Sequence, residues 1–213
     1  MTAMLKKNDI VLLQGDSITD TARDRESGDC LGRGYALMLG AWCSCNFPEE
    51  NVKFLNRGLS GNRVIDLLSR IEKDFIEIRP SWISILIGVN DCWRRYDRDD
   101  PTSAEVFEER YRNLLTRLKQ DTTAKIILCE PFLLPVKPEQ EKWREDLDPK
   151  ISVVKKMAEE FNTLLVPLSS TFLNAAKRKP MEHWSKDGVH PTPAGHMLIA
   201  QTWLKTLGIC PAG

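Results

Sequence analysis

Neither sign of charge predominates in this sequence, in which 30 lysines and arginines are matched by 30 aspartates and glutamates. Proteins that bind nucleic acids normally carry a basic excess or a basic stripe, so this balance argues against that class. The sequence also lacks any apolar run approaching the roughly 20 residues of a membrane-spanning helix. We therefore expect neither a nucleic-acid partner nor a membrane partner.

The beginning of the sequence does not show the apolar stretch that directs secretion. A signal peptide needs roughly 7 to 15 apolar residues after a basic start. Residues 1–9 are mostly polar, and the apolar run at 10–13 is too short. The pattern predicts a cytoplasmic protein.

The six cysteines are scattered and lack the paired spacing of a zinc site. Cys43 and Cys45 are separated by one residue, but no C-x-x-C pair or H-x-x-x-H segment is present to supply further ligands. We therefore expect reduced thiols, several of them buried as small hydrophobic side chains. No metal and no cofactor are expected.

Short apolar segments alternate along the chain with longer segments of helical periodicity. Strands are predicted at 10–13, 52–56, 82–87, 125–129 and 164–167. Helices are predicted at 34–45, 63–75, 103–119, 149–161, 171–177 and 193–207. The turn-rich segment 96–101 and the polar segment 136–148 are predicted to be surface excursions. This alternation is typical of an α/β protein with a parallel sheet and helices on both faces. No linker or internal repeat is visible, so one domain is predicted over residues 1–213.

Four short polar motifs follow the predicted strands or precede the last helix. They are Gly15-Asp16-Ser17-Ile18-Thr19, Gly58-Leu59-Ser60-Gly61-Asn62, Gly88-Val89-Asn90-Asp91 and Asp187-Gly188-Val189-His190-Pro191. Open parallel sheets bind ligands outside the carboxyl ends of their strands. The first three motifs are therefore expected at one rim of the sheet.

These motifs contain the residue types that acyl transfer needs. Ser17 can act as the nucleophile, His190 as its base, and Asp187 as the group that fixes the imidazole tautomer. The backbone N–H groups of Ser17 and Gly61 and the side-chain amide of Asn90 are suitable donors to a developing oxyanion. A glycine at position 61 also allows the backbone to approach a ligand closely.

The four motifs, in this order, resemble the SGNH subgroup of the GDSL esterase and lipase family. Ser17, Gly61, Asn90 and His190 match the four family blocks, and Asp187 completes the triad. The resemblance implies a flavodoxin-like three-layer α/β/α sandwich with a five-stranded parallel sheet. It also implies deacylation of esters without a cofactor.

A narrower resemblance is to bacterial acetylxylan esterases that act inside the cell. It is carried by Gly32-x-Gly34-Tyr35, Asn56-Arg57-Gly58, Trp82-Ile83-Ser84-Ile85, Asp91-Cys92-Trp93-Arg94, Gly188-Val189-His190-Pro191 and Ala194-Gly195-His196. The resemblance implies a small ester substrate, above all acetylated xylo-oligosaccharides. It also implies assembly into a homo-oligomer.

Four further residues are candidates for the substrate site. Trp93 can stack on a sugar ring and Arg94 can bond its hydroxyls, although both could equally belong to a solvated, salt-bridged loop. Trp184 could line the acyl pocket or an oligomer contact. Asp16 is more simply explained as orienting the Ser17 loop through backbone N–H groups than as a catalytic group.

Other functions remain open at this point. The chain could be a short-chain lipid or phospholipid acylhydrolase of the same family, similar to platelet-activating-factor acetylhydrolase, a lysophospholipase or a thioesterase. It could also be a catalytically silent carbohydrate-binding protein, or a metal-dependent hydrolase using Asp16, Asp187 and His190. No long apolar lid is visible to shelter a fatty chain, which favours short acyl groups.

Overall fold

Five parallel strands form one sheet in the computed structural model, which describes residues 5–209. The strands are β1 (Ile10–Gly15), β2 (Lys53–Asn56), β3 (Trp82–Leu86), β4 (Lys125–Cys129) and β5 (Leu164–Val166). Their order is β2-β1-β3-β4-β5, and every neighbouring pair is parallel. This order is that of flavodoxin-like sheets, which confirms the predicted fold class.

The central strands are covered on both faces. All five residues of β3 are buried, including the polar Ser84, whose hydroxyl accepts a hydrogen bond from the Trp203 indole N–H at 3.0 Å. Val11 and Leu13 of β1 belong to one hydrophobic core, and Leu12 between them belongs to another. This alternation places one core on each face of the sheet and gives the three layers.

Nine α-helices surround the sheet in the described part of the chain. They are α1 (Ser17–Asp20), α2 (Tyr35–Asn46), α3 (Val64–Ser69), α4 (Val89–Asp97), α5 (Ala104–Asp121), α6 (Arg144–Glu160), α7 (Leu168–Ala176), α8 (Met181–Trp184) and α9 (Pro193–Thr206). Helix α2 packs against α9 in one layer, while α5 packs against α3 and α6 in the other. Short 3-10 helices lie at Pro48–Glu50 and Pro138–Trp143, and a π-helical turn lies at Glu72–Ile76.

The segment 136–148, predicted as a polar surface excursion, is largely helical and only partly exposed. A 3-10 helix leads directly into α6, which begins at Arg144 rather than at 149 and contains Pro149 within it. Trp143 and Leu147 are buried in this region, so apolar contacts with the core hold a helix that the polar composition concealed. Part of the predicted loop at 96–101 is likewise helical, because α4 continues to Asp97.

The predicted helix at 63–75 is divided. Helix α3 ends at Ser69, where the serine hydroxyl donates to the carbonyl oxygen of Asp66 at 2.8 Å, and the π-helical turn follows. A hydroxyl that bonds a carbonyl of the preceding turn competes with the helical backbone bonds. Apolar periodicity alone did not reveal this break.

Five of the cysteines lie in the described residues, and all five are free thiols. Cys43, Cys92 and Cys129 are buried, as predicted, whereas Cys45 is exposed. Cys210 lies outside the described residues. None of the helices within residues 5–209 is long and apolar enough to cross a membrane.

Candidate active site

Ser17 lies at the carboxyl end of the central strand β1, where it is the first residue of α1. Asp16 caps this short helix, because its Oδ1 accepts the Ile18 N–H at 3.0 Å. Asp16 is only 1% exposed, and its Oδ2 is buried without a hydrogen-bond partner. Burial raises the pKa of Asp16 to about 7, against the opposing effects of the Ile18 N–H and of nearby His190.

The loop before α9 brings His190 to Ser17. The His190 Nε2 lies 2.9 Å from the Ser17 Oγ, and its Nδ1 lies 2.6 Å from the Asp187 Oδ2. A carboxylate only accepts hydrogen bonds, so Nδ1 carries a proton and the neutral ring presents Nε2 as the acceptor for the serine hydroxyl. The three side chains therefore form a continuous hydrogen-bonded series.

The backbone of the same loop fixes the aspartate. The Asp187 Oδ1 accepts the N–H groups of Val189 at 3.0 Å and of His190 at 2.7 Å. Burial raises the pKa of Asp187, but the hydrogen bonds from His190 and Val189 outweigh burial and lower it to about 2. The hydrogen bond to Asp187 in turn raises the pKa of His190, against the opposing effect of burial.

Gly188 allows this loop to approach the segment before α6. Its φ is +91°, and an added Cβ would lie 2.7 Å from the carbonyl oxygen of Leu134 and 2.8 Å from the Gln140 amide. The carbonyl oxygen of Gly188 accepts the Leu134 N–H at 2.9 Å. A side chain at position 188 would disrupt both the backbone conformation and this contact.

The two remaining oxyanion-hole candidates lie on neighbouring elements of the rim. Gly61 has a φ of +85° in the loop after β2, and apart from its chain neighbours no heavy atom of the described residues lies within 4 Å of a Cβ built there. Asn90 lies in the first turn of α4, after β3, and is 2% exposed. Its Nδ2 donates to the carbonyl oxygen of Asn62 at 3.1 Å, which joins α4 to the Gly61 loop.

The side chains of Asn56 and Asp91 connect the loops and helices of the rim by further hydrogen bonds. The Asn56 Nδ2 donates to the carbonyl oxygen of Thr19 at 2.6 Å, while its Oδ1 accepts the Gly58 N–H at 2.9 Å. The Asp91 Oδ2 accepts the Val64 N–H at 3.2 Å and so connects α4 to the start of α3. Asn56 is 1% exposed and was not singled out from the sequence, although it belongs to the Asn56-Arg57-Gly58 motif.

The other sequence-predicted residues have distinct surroundings. Trp93 lies beside His190, with 5.8 Å between the ring centroids. Arg94 is held by Asn90 and Asp97 on its own helix, so Trp93 and Arg94 belong to a helix rather than to a loop. Trp184 packs against the core with its Nε1 buried and unpartnered, and its place in an acyl pocket stays a prediction.

His196 has a structural environment. It is 5% exposed, and its Nδ1 accepts the Tyr35 N–H at 3.2 Å. Burial and the positive charge of His190 lower the pKa of His196 to about 4. Within residues 5–209 no group of three or more histidine, cysteine, aspartate or glutamate side chains is arranged to hold a metal ion.

Comparisons with known proteins identify the family of the chain. The model of the GDSL-like lipase/acylhydrolase family matches residues 13–198. An acetylxylan esterase from Geobacillus stearothermophilus is 37% identical over 205 residues, which cover 93% of each chain. The chain belongs to the GDSL-like lipase/acylhydrolase family and is a carboxylic ester hydrolase.

Solved structures of other proteins resemble this chain to a similar degree. A Parabacteroides merdae protein assigned as a GDSL-like lipase superposes with a TM-score of 0.94 at 38% identity, covering 99% of this chain and 100% of the other. A catalytic mutant of the Geobacillus enzyme, with serine replaced by alanine, gives a TM-score of 0.89 at 35% identity over 96% of both chains. These structures have the same α/β fold.

Proposed function

We propose that this esterase removes short acyl groups, above all acetyl groups, from carbohydrates such as acetylated xylo-oligosaccharides, through an acyl-enzyme on Ser17. The observation that carries the proposal is the series of hydrogen bonds from Ser17 through His190 to Asp187, at 2.9 and 2.6 Å. A serine within hydrogen-bond reach of a base that a third group orients is the arrangement of an activated nucleophile.

In the first half of the reaction, the Ser17 Oγ attacks the ester carbonyl while His190 accepts its proton at Nε2. Asp187 holds the imidazole in the required tautomer and stabilises the imidazolium that forms. The N–H groups of Ser17 and Gly61 and the amide of Asn90 donate to the oxyanion. The tetrahedral intermediate then collapses, the alcohol leaves with the proton from His190, and the acyl group remains on Ser17.

Water completes the cycle. His190 takes a proton from a water molecule, which attacks the acyl-enzyme and forms a second tetrahedral intermediate at the same oxyanion donors. Collapse of this intermediate releases the acid and returns the proton to Ser17. Each oxyanion donor contributes a factor of roughly 10² to 10³ in turnover.

Two observations support a sugar ester as the substrate. The relative at 37% identity is an acetylxylan esterase, and another structure of the same enzyme is described as an acetyl-xylooligosaccharide esterase. The Trp93 ring lies next to the catalytic imidazole, and Tyr96 nearby on α4 is 37% exposed. Aromatic faces at a rim of this kind suit the apolar faces of sugar rings.

The proposal is tested by comparing acetylated xylo-oligosaccharides with p-nitrophenyl esters of increasing chain length. We expect acetate release from the sugar and a steep fall in kcat/KM beyond butyrate. Ser17→Ala should abolish both activities and labelling by a fluorophosphonate while leaving the circular dichroism spectrum unchanged. Preference for long acyl chains would favour a lipid substrate, and full activity of Ser17→Ala would overturn the acyl-enzyme.

We further propose that copies of the chain associate into a homo-oligomer. Leu37 on α2 and Met197 on α9 are 47% and 44% exposed, and their two helices pack together. Light scattering after size exclusion measures the molar mass directly. A mass matching the 24.3 kDa chain at micromolar concentration would contradict association.

A further inference from the structure

We propose that Arg94 is a positioning residue that acts on the oxyanion through Asn90, not a group that binds sugar hydroxyls. The inference rests on the proposed function, in which the Asn90 amide donates to the oxyanion. Arg94 follows Asn90 by one turn of α4, which places the two side chains on the same face of the helix.

The contacts of the Asn90 amide determine its orientation. The Arg94 Nη2 donates to the Asn90 Oδ1 at 3.0 Å, while the Asn90 Nδ2 donates to the carbonyl oxygen of Asn62 at 3.1 Å. A guanidinium group only donates and a backbone carbonyl only accepts, so the amide has one allowed orientation. One Nδ2 hydrogen is used by Asn62, and the second remains for an oxyanion.

The charge on Arg94 also strengthens the donor. A hydrogen bond from a cation to the amide oxygen draws electron density from the amide, which makes its N–H groups better donors, and hydrogen bonds in series reinforce one another. Asn90 is 2% exposed, so water screens this effect little. Arg94 thereby strengthens the hydrogen bond from Asn90 to the oxyanion without contacting the substrate.

Arg94 is itself held in place. Its Nη1 forms an ion pair with Asp97, its guanidinium carbon lies 5.6 Å from the centroid of the Trp93 ring, and its side chain is 14% exposed. The side chain therefore has two fixed polar partners and little surface to offer a sugar. Arg95, the next residue on α4, contacts Asp146 instead and is 52% exposed, which makes it a matched control.

A double-mutant cycle with p-nitrophenyl acetate tests the coupling, because this substrate has no sugar. Arg94→Met should lower kcat by about 10- to 100-fold, below the loss expected for Asn90→Ala, and should change KM by less than about 2-fold. In the Asn90→Ala background the same substitution should cost less than about 2-fold in kcat. Arg95→Met should retain the parental kcat, and Arg94→Lys should recover part of the loss.

The possible results distinguish the role of Arg94 from the oxyanion role of Asn90. Equal losses from Arg94→Met in both backgrounds, or a rise in KM confined to acetylated xylo-oligosaccharides, would overturn the role of Arg94 and leave the esterase mechanism intact. Parental kcat in Asn90→Ala would overturn the oxyanion role of Asn90 and, with it, that of Arg94. If Arg94→Met does not fold, Asp97→Ala, which removes the side chain that holds Arg94 without touching Asn90, should still lower kcat in the parent and not in Asn90→Ala.

Discussion

The side-chain amide of Gln140 donates a 2.6 Å hydrogen bond to the carbonyl oxygen of Asp187, in the loop that carries both Asp187 and His190. Its Oε1 accepts the N–H groups of Val136 and Lys137, both at 3.1 Å. Gln140 is 4% exposed. One buried side chain therefore connects the 3-10 helix before α6 to the loop of Asp187 and His190.

Replacing Gln140 by leucine should lower both stability and turnover. The substitution leaves three partly buried backbone groups without their Gln140 partner, at a cost of up to about 1–3 kcal/mol in the free energy of unfolding. Because Asp187 and His190 would lose a fixed position relative to Ser17, kcat should fall more than KM rises. Urea unfolding and steady-state kinetics measure the two effects, with the exposed Gln201→Leu as control. Unchanged kcat in a destabilised Gln140→Leu protein would contradict the positioning role.

The pH dependence of activity should follow His190. Its pKa is raised by the hydrogen bond to Asp187, and only the neutral ring accepts the Ser17 proton, so kcat/KM should fall as the pH drops through a value above 6.5. His196 should remain neutral down to a pKa of about 4, because burial opposes its charge. With three histidines in the sequence, NMR titration of the ring protons can follow each one. An acid limb at or below pH 6.5 would contradict this assignment.

Asp187→Asn should separate the two effects of the aspartate. Loss of the carboxylate removes the main cause of the raised pKa of His190, so the acid limb should move to lower pH. At the same time the amide favours the wrong imidazole tautomer, and kcat should fall by about 10⁴-fold, as in the serine protease from which this figure comes. A lower kcat with an unmoved acid limb would indicate that another group controls the profile.

Asp16→Asn should change how stability depends on pH. Burial raises the pKa of Asp16 to about 7 in the folded protein, whereas the unfolded chain ionises near the ordinary value of 3.8. The folded state of the parent therefore loses stability as the pH rises between these values, and the loss is complete above 7. The asparagine variant keeps an oxygen to cap Ile18 and has no such loss.

Urea unfolding at pH 4 and pH 8 measures this difference. The free energy of unfolding of Asp16→Asn, relative to the parent, should increase from pH 4 to pH 8. Any pH-independent cost of burying the asparagine amide cancels when the values at pH 4 and pH 8 are compared. The exposed Asp24→Asn serves as control, and a pH-independent difference for Asp16→Asn would argue against a raised pKa of Asp16 in the folded protein.

Trp93→Ala should discriminate between sugar and simple esters. The Trp93 ring lies 5.8 Å from the His190 ring, so its loss should raise KM for acetylated xylo-oligosaccharides by about 10-fold, the equivalent of about 1.4 kcal/mol. The KM for p-nitrophenyl acetate should change much less. Leu173→Ala, an exposed residue on α7, controls for loss of surface apolar area. Equal effects on both substrates would indicate that Trp93 only packs against the triad.

The amino-acid sequence was sufficient for the strands and for the order of the site motifs. Strands such as β3 and β4 are short apolar runs bounded by polar turns, and local composition is enough to locate them. Because parallel strands end at one rim, Ser17, Gly61 and Asn90 could be assigned to that rim without coordinates. The spacing from Asp187 to His190 likewise depends only on the local chain.

Other features required the tertiary structure. Helix α4 and the early start of α6 depend on burial of Cys92, Trp143 and Leu147 against residues distant in sequence, which no local pattern encodes. The bond from Gln140 to Asp187 spans 47 residues, and that from Ser17 to His190 spans 173. The contacts of Arg94 with Asn90 and Asp97 could not be chosen from the sequence either, because a sequence shows a guanidinium group but not its partner. Sequence determined which chemical groups are present, and packing decided which of them meet, because hydrogen bonds form only between groups that the folded core brings within reach.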